Sequence, residues 1–176
     1  MRGKDQLYRV LRIVSYTNYT KALPFWQINT LADNAITARK MSTDSILLGL
    51  VESSSDFTTA SGTFVLRTGL SATVTVPSGG RKVKVTVGFR TIYMAGGTNG
   101  TATVSVWDGT VGSGTQLGER TYRLQDAAFE VSPTPMFFQS PSAGSKTYNV
   151  GVKTTAGTIG FQGTAAGKAF ILVEAL

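Results

Sequence analysis

The chain has 176 residues, 41% of them hydrophobic and 15% charged, with a formal net charge of +7. It contains no cysteine and no histidine. That excludes disulfides, thiolate nucleophiles, Ser-His-Asp triads and metal held by Cys or His. The length fits one domain plus an extension. The basic excess suits an acidic partner, whether nucleic acid, a membrane surface or an acidic protein, and equally a generally basic soluble protein. With so few charges, the surface must be covered largely by Thr, Ser, Gly, Asn and Gln.

Residues 1–50 differ from the rest. Arg2, Lys4, Arg9 and Arg12 crowd the start, and Arg9 and Arg12 interrupt any apolar run that would read as a signal peptide. No stretch approaches the length of a membrane span, so assembly in a cytoplasm is expected. Leu7, Val10, Leu11 and Val14 follow helical spacing, yet the same stretch also reads as a strand. Pro24 breaks the element before it, and Phe25-Trp26 comes next as a large apolar pair. Asn29 or Thr30 is placed to cap a short helix through Leu31, Ala35 and Ile36. The apolar residues here are too scattered to bury themselves. The segment reads as an attachment arm, with Arg2, Lys4, Arg9, Arg12, Phe25 and Trp26 as docking residues, or as a helical subdomain packed on the β-rich remainder of the chain. The basic start fits an acidic protein lattice or nucleic acid. Docking is preferred, because the β-rich remainder shows no row of aromatics interleaved with Lys and Arg.

Glu52 to Asp56 reads as a linker, and residues 51–176 as one β-domain. Thr63–Leu66 and Ala72–Val76 are expected strands, and Pro77–Gly80 a turn. The organising stretch is Arg81–Met94. Val83, Val85, Val87, Phe89 and Tyr93 fall on one side of a period of two, which predicts one long strand with that side in a core. Asn99-Gly100 signals a hairpin, with Ala102–Trp107 returning antiparallel. Gly118–Leu124 is the next strand. Pro133 and Pro135 make Val131–Phe138 an edge strand or an irregular segment. Tyr148, Val150 and Val152 alternate in the strand after that, and Gly157–Gln162 is short. Roughly eight strands at even spacing predict an antiparallel β-sandwich of the jelly-roll kind.

The closing run Ala169–Val173 is apolar on both faces, whereas a solvated antiparallel strand should alternate. A second copy is the simplest cover. A homo-oligomer is therefore expected, with Phe170, Ile171, Leu172 and Val173 at its interface.

Candidate chemistry is sparse. Trp107, before Asp108-Gly109, and Tyr93, near Asn99-Gly100, are the candidates for stacking on a glycan, against half-buried sandwich residues. Asp108, Glu119, Asp126 and Glu130 lie near loops, but nothing aligns two of them as a glycosidase pair. No D-x-D-x-D run suggests calcium, and Gly112–Gly114 lacks the Lys-Ser/Thr of a phosphate loop. No enzyme, metal or cofactor is expected.

Three stretches together resemble structural proteins of tailed bacteriophages. Leu31-Ala-Asp-Asn-Ala-Ile-Thr-Ala-Arg-Lys-Met41 looks like the D/N-x-A-I-T-x-x-K/R segments in the N-terminal parts of phage fibres. A Gly/Thr-rich β-domain comes after it. The ending Ala169-Phe-Ile-Leu-Val-Glu174 is similar to the "ALLLVED"-type strand that closes many fibre and head-fibre domains, although Ala175-Leu176 replaces the acidic residue and glycine. The resemblance implies a trimeric virion component: a short fibre, head fibre or capsid decoration protein, attached by its arm to capsid or tail proteins. The alternative is a tail tip module that binds a host glycan through loops 95–101 and 108–115.

Overall fold

A computed structural model describes residues 46–79, 81–126 and 128–176. The proposed docking residues Arg2, Lys4, Arg9, Arg12, Phe25 and Trp26, and the segment from Leu31 to Met41, lie outside the described residues.

Every helix or strand among the described residues is a strand. In chain order they are β1 (Ile46–Ser53), β2 (Phe57–Thr59), β3 (Val65–Val76), β4 (Val83–Gly88), β5 (Thr91–Gly96), β6 (Gly100–Asp108), β7 (Thr115–Leu124), β8 (Glu130–Val131), β9 (Met136–Gln139), β10 (Gly144–Thr154), β11 (Thr158–Gln162) and β12 (Ala169–Ala175). All pairings are antiparallel. β1 starts at Ile46, so Ile46–Leu50 belongs to the sandwich, and Glu52 and Ser53 complete a strand where their composition suggests a linker.

Three four-stranded sheets form, in the orders β1-β12-β4-β9, β3-β10-β6-β7 and β2-β11-β5-β8. The first and third are one sheet bent at a corner. β1 runs on into β2, β4 into β5, β8 into β9 and β11 into β12, each at the same position in the order. Counted through the corner, the strands number eight. The bent sheet then holds the first, eighth, third and sixth, and the facing sheet the second, seventh, fourth and fifth. That interleaving is the jelly roll, and the antiparallel sandwich is as the strand spacing predicts.

The core lies between the two sheets. Val83, Val85, Val87, Ile171 and Val173 from the bent sheet, and Val104, Val106, Tyr148, Val150 and Val152 from the facing one, are all fully buried. Each contributes at most roughly 1.5–3 kcal/mol by burial.

The corner corrects the reading of Arg81–Met94 as a single strand. Val83, Val85 and Val87 face the core, but beyond Arg90 the inward residues are Ile92 and Met94, and Tyr93 points out. The alternation slips by one residue at Phe89-Arg90. Both neighbouring strands break at the same place, β8/β9 across Pro133 and Pro135 and β11/β12 across residues 163–168. Pro133 and Pro135 lack N–H groups and cannot continue a ladder. Their carbonyls still accept from Phe89 N at 3.5 Å and Val87 N at 3.0 Å. On the other side Arg90 N donates to Gln162 O at 3.1 Å.

Asn99 does take a positive φ of 57°, so the turn chemistry is as expected. The turn is not a hairpin, however. β5 and β6 belong to opposite sheets, and the chain crosses the sandwich there. β6 pairs instead with β7 and β10.

Candidate functional site

In an antiparallel pair, directly opposed residues point to the same side. The register therefore fixes what the outer face of β1-β12-β4-β9 displays. One row is Leu50, Leu172, Thr86 and Met136. The next is Leu47, Glu174, Lys84 and Phe138. A third is Glu52, Phe170 and Gly88. Leu47, Leu50, Met136 and Phe138 are 61, 51, 49 and 49% exposed. Phe170 and Leu172 are half-buried between them.

Two features keep this face smooth. Phe170 lies flat over Gly88, so close that a Cβ at position 88 would sit 2.2 Å from the ring. The charged residues also pair within the chain. Lys84 meets Glu174 at 2.7 Å, and Lys168 meets Glu52 at 2.7 Å. Lys82 sits above the Phe138 ring, 5.9 Å from its centroid. Of the expected interface residues, Ile171 and Val173 are wholly inside the sandwich and unavailable to a partner. Phe170 and Leu172 are the outward pair.

The outer face of β3-β10-β6-β7 has the opposite character. Threonine hydroxyls pair across its strands: Thr73 with Thr147 at 2.9 Å, Thr103 with Thr121 at 3.0 Å. Beyond the end of β10, Thr101 pairs with Thr155 at 2.9 Å. Trp107 points to this face but is only 8% exposed. Phe64 covers it edge-on at 5.7 Å, and Lys153 Nζ caps Phe64 at 4.2 Å from the ring centroid. No flat Trp107 face is open for stacking. The indole Nε1 is buried without a hydrogen-bond partner.

Tyr93 lies on the outer face of the bent sheet, with its ring against Gly160, where a Cβ would come within 2.3 Å. Tyr93 and Trp107 thus face away from each other on opposite sheets. The two candidate glycan loops also separate, because the nine-residue strand β6 joins them end to end, roughly 25–30 Å.

The acids near loops are engaged by the fold. Asp108 Oδ2 accepts from Gln139 Nε2 at 3.1 Å and meets Lys146 Nζ at 3.5 Å. Glu119 meets Lys153 Nζ at 3.4 Å. Asp126 Oδ1 accepts from Ala128 N at 2.9 Å, and Glu130 accepts from Thr91 Oγ1 at 3.4 Å. Among the described residues no three of His, Cys, Asp and Glu gather as a metal site would need. No helix among them is long and apolar enough to cross a membrane.

Two polar devices escape a reading of the sequence. At one end of the core, Tyr148 Oη donates to Gln139 Oε1 at 3.1 Å, and Gln139 passes the connection to Asp108. This ties β9 of one sheet to β6 and β10 of the other. Burial, and then the Asp108 carboxylate, push the Tyr148 phenol up to about 12. Near the corner, Arg67 is 1% exposed. Its guanidinium donates to the Ser55 and Thr68 carbonyls and stacks 5.4 Å from the Phe57 ring centroid. Burial lowers its pKa against the pull of Asp56. No local pattern marks Arg67, because the bulge around Gly69 (φ 85°) turns it inward while Leu66 points out.

No protein-family model and no curated protein sequence matches the chain. Several solved structures are similar in shape. A carbohydrate-binding module from Cellvibrio mixtus lichenase 5A, in complex with cellotriose, is 16% identical over 73% of this chain and 97% of its own, with a TM-score of 0.39. The enzymatically active domain of bacteriophage CBA120 tailspike protein 4 is 12% identical over 73% of this chain and 19% of its own, at 0.28. An infectious bursal disease virus structure is 10% identical over 77% and 42%, at 0.31. These scores are low, and the jelly-roll assignment stands on the strand pairing.

Proposed function

We propose that the protein is a non-enzymatic structural subunit of a bacteriophage virion, a homotrimer that displays this jelly roll as a short fibre, head fibre or decoration protein. The observation that carries the reading is the inequality of the two outer faces. One carries Leu47, Leu50, Met136 and Phe138 about half exposed, with most of its charges paired; the other carries paired threonines, with Leu66 as its half-exposed apolar side chain and Trp107 closed over by Phe64. The acids support the non-enzymatic part, since each one near a loop already holds a cation, an amide or a hydroxyl. The resemblance of Ala169–Glu174 and Leu31–Met41 to phage fibre segments supplies the virion setting.

The test is mass spectrometry of density-purified particles from infected host cells, with the protein imaged by a labelled antibody. The expected result is a fixed number of copies per particle. Absence from the particles overturns the reading. A glycan array probed with the labelled protein is expected to give background. Saturable binding to one glycan class would make the protein a host-glycan module.

A further inference from the structure

We infer that a second copy of this chain covers the outer face of β1-β12-β4-β9, seated on the row of Leu50, Leu172 and Met136. The inference deepens the reading of the protein as a self-associating subunit and rests on that reading. It names the surface through which the copies meet.

Four long apolar side chains, Leu47, Leu50, Met136 and Phe138, stand about half exposed on one sheet face. Register places them at the two ends of two adjacent rows, with Leu172 between Leu50 and Met136. Thr86 also stands in the first row and the Lys84–Glu174 pair in the second. Single surface leucines are ordinary, but four half-exposed apolar side chains on one sheet face mark a candidate contact. β9 is the free edge on one side of this face. It is only four residues long, and Pro135 next to it carries no N–H, so recruitment of an extra strand is disfavoured. The opposite edge is β1, eight residues long, and its exposed Leu47 and Leu50 turn to the same face.

Charge then selects the occupant. A nucleic acid or other polyanion needs free cations. A strongly basic partner needs free carboxylates. Here Lys84 and Lys168 each hold a carboxylate at 2.7 Å, and those carboxylates are Glu174 and Glu52. Lys82 keeps its cation over the Phe138 ring, one charge beside two closed pairs, which suits neither a polyanion nor a strongly basic partner. The complement it fits is another face that is apolar with its charges already paired, and this face is itself such a surface. Copies that carry a net positive charge repel through most of their surface. They repel least where the charge is locally compensated. Self-contact also fits a trimer: around a three-fold axis each copy turns this same face inward, and one side of it meets the other side of its neighbour's.

Sedimentation velocity on the full-length chain at micromolar concentration tests this, with wild type compared to the Leu50→Glu/Met136→Glu double variant. Wild type should sediment as an oligomer. The double variant should dissociate, with the association constant weakened at least about tenfold, while its far-UV circular dichroism stays that of the wild type. The cysteine-free chain allows a second measurement that does not depend on how the glutamates fold. Leu50→Cys and, separately, Met136→Cys should each give crosslinked copies with a short bis-maleimide, whereas Thr73→Cys on the threonine face should not. An oligomer that survives the double variant and crosslinks through Thr73→Cys overturns the chosen face and leaves self-association standing. A wild-type chain that sediments as a monomer overturns both.

Discussion

The two outer faces of the sandwich share a backbone geometry and differ in what covers it. On β3-β10-β6-β7, threonines oppose threonines and their hydroxyls bond across the strands. On β1-β12-β4-β9, the outward rows hold Leu47, Leu50, Leu172, Met136, Phe138 and Phe170 around Thr86 and the Lys84–Glu174 pair. Threonine is β-branched and stiff, so it favours a strand as well as valine does while giving water a hydroxyl. The paired Thr73 and Thr147 stand at the surface, whereas Thr103, Ser105 and Trp107 nearer the middle of that sheet are closed over. The difference that remains is the cluster of half-exposed Leu47, Leu50, Met136 and Phe138 on the other sheet, which is the basis of the proposed contact.

The sharpest break between inside and outside lies within β12. Ile171→Ala should lower stability by about 2–5 kcal/mol in urea unfolding, because the side chain is fully buried and leaves a cavity. Leu172→Ala, one residue on, should cost about 1 kcal/mol or less in the isolated chain and act mainly on association. Equal losses at the two positions would erase the distinction between core and contact face.

Gly88→Ala probes how the apolar face is kept smooth. The added Cβ would meet the Phe170 ring at 2.2 Å and force the ring outward. We expect a loss of about 1–2 kcal/mol and stronger binding of a hydrophobic dye. Gly79→Ser, at a turn position with open space around it, is a contrasting control for local crowding. Its positive φ of 110° gives it a backbone cost of its own.

The polar tie between the sheets has a pH signature. The Tyr148 phenol titrates at about 12 in the fold against 10.0 when free. The folded state therefore holds this proton more tightly than the unfolded chain. The associated stability is complete below about pH 10 and is lost as pH rises toward 12. Alkaline unfolding of wild type should steepen across that window, and Tyr148→Phe should remove that share of the steepening. An unchanged pH profile in Tyr148→Phe would mean that the phenol is not the titrating group.

The smallest effect belongs to the threonine face. Thr103→Val removes one hydroxyl contact with Thr121 and keeps the branched shape. It should shift stability by no more than about 1 kcal/mol and leave the oligomer unchanged. Dissociation of the oligomer by this variant would invert the assignment of the two faces.

Much of the fold is legible in the residues. Tyr148, Val150 and Val152 announce their own inward face, and Pro133 and Pro135 announce an edge or an irregular segment. The eight-strand rhythm gives the jelly roll. What stays hidden is set by neighbours distant in sequence. The slip between Val87 and Ile92 coincides with breaks in both neighbouring strands, one at Pro133 and Pro135 and one after Gln162, far off in sequence. The Asn99-Gly100 turn has hairpin chemistry, but pairing elsewhere makes it a crossing. The candidate face is half visible. Ala169–Val173 reads as apolar on both sides, yet only the register with Leu50, Thr86 and Met136 shows which side chains stand outward together. Arg67 and the cover of Trp107 by Phe64 carry no local signature, because each depends on a loop folding back onto a strand.

β1 and β12 lie side by side, with Ile46 opposite Ala175. The Gly97–Asn99 turn sits at the far end of the bent sheet, where Gly96 meets Thr158. A tag fused after Leu176 should therefore emerge next to Ile46, while a peptide inserted at Asn99 should stand at the opposite pole. The domain offers an engineering polarity: both handles at one end, and at the other a turn free to carry a graft.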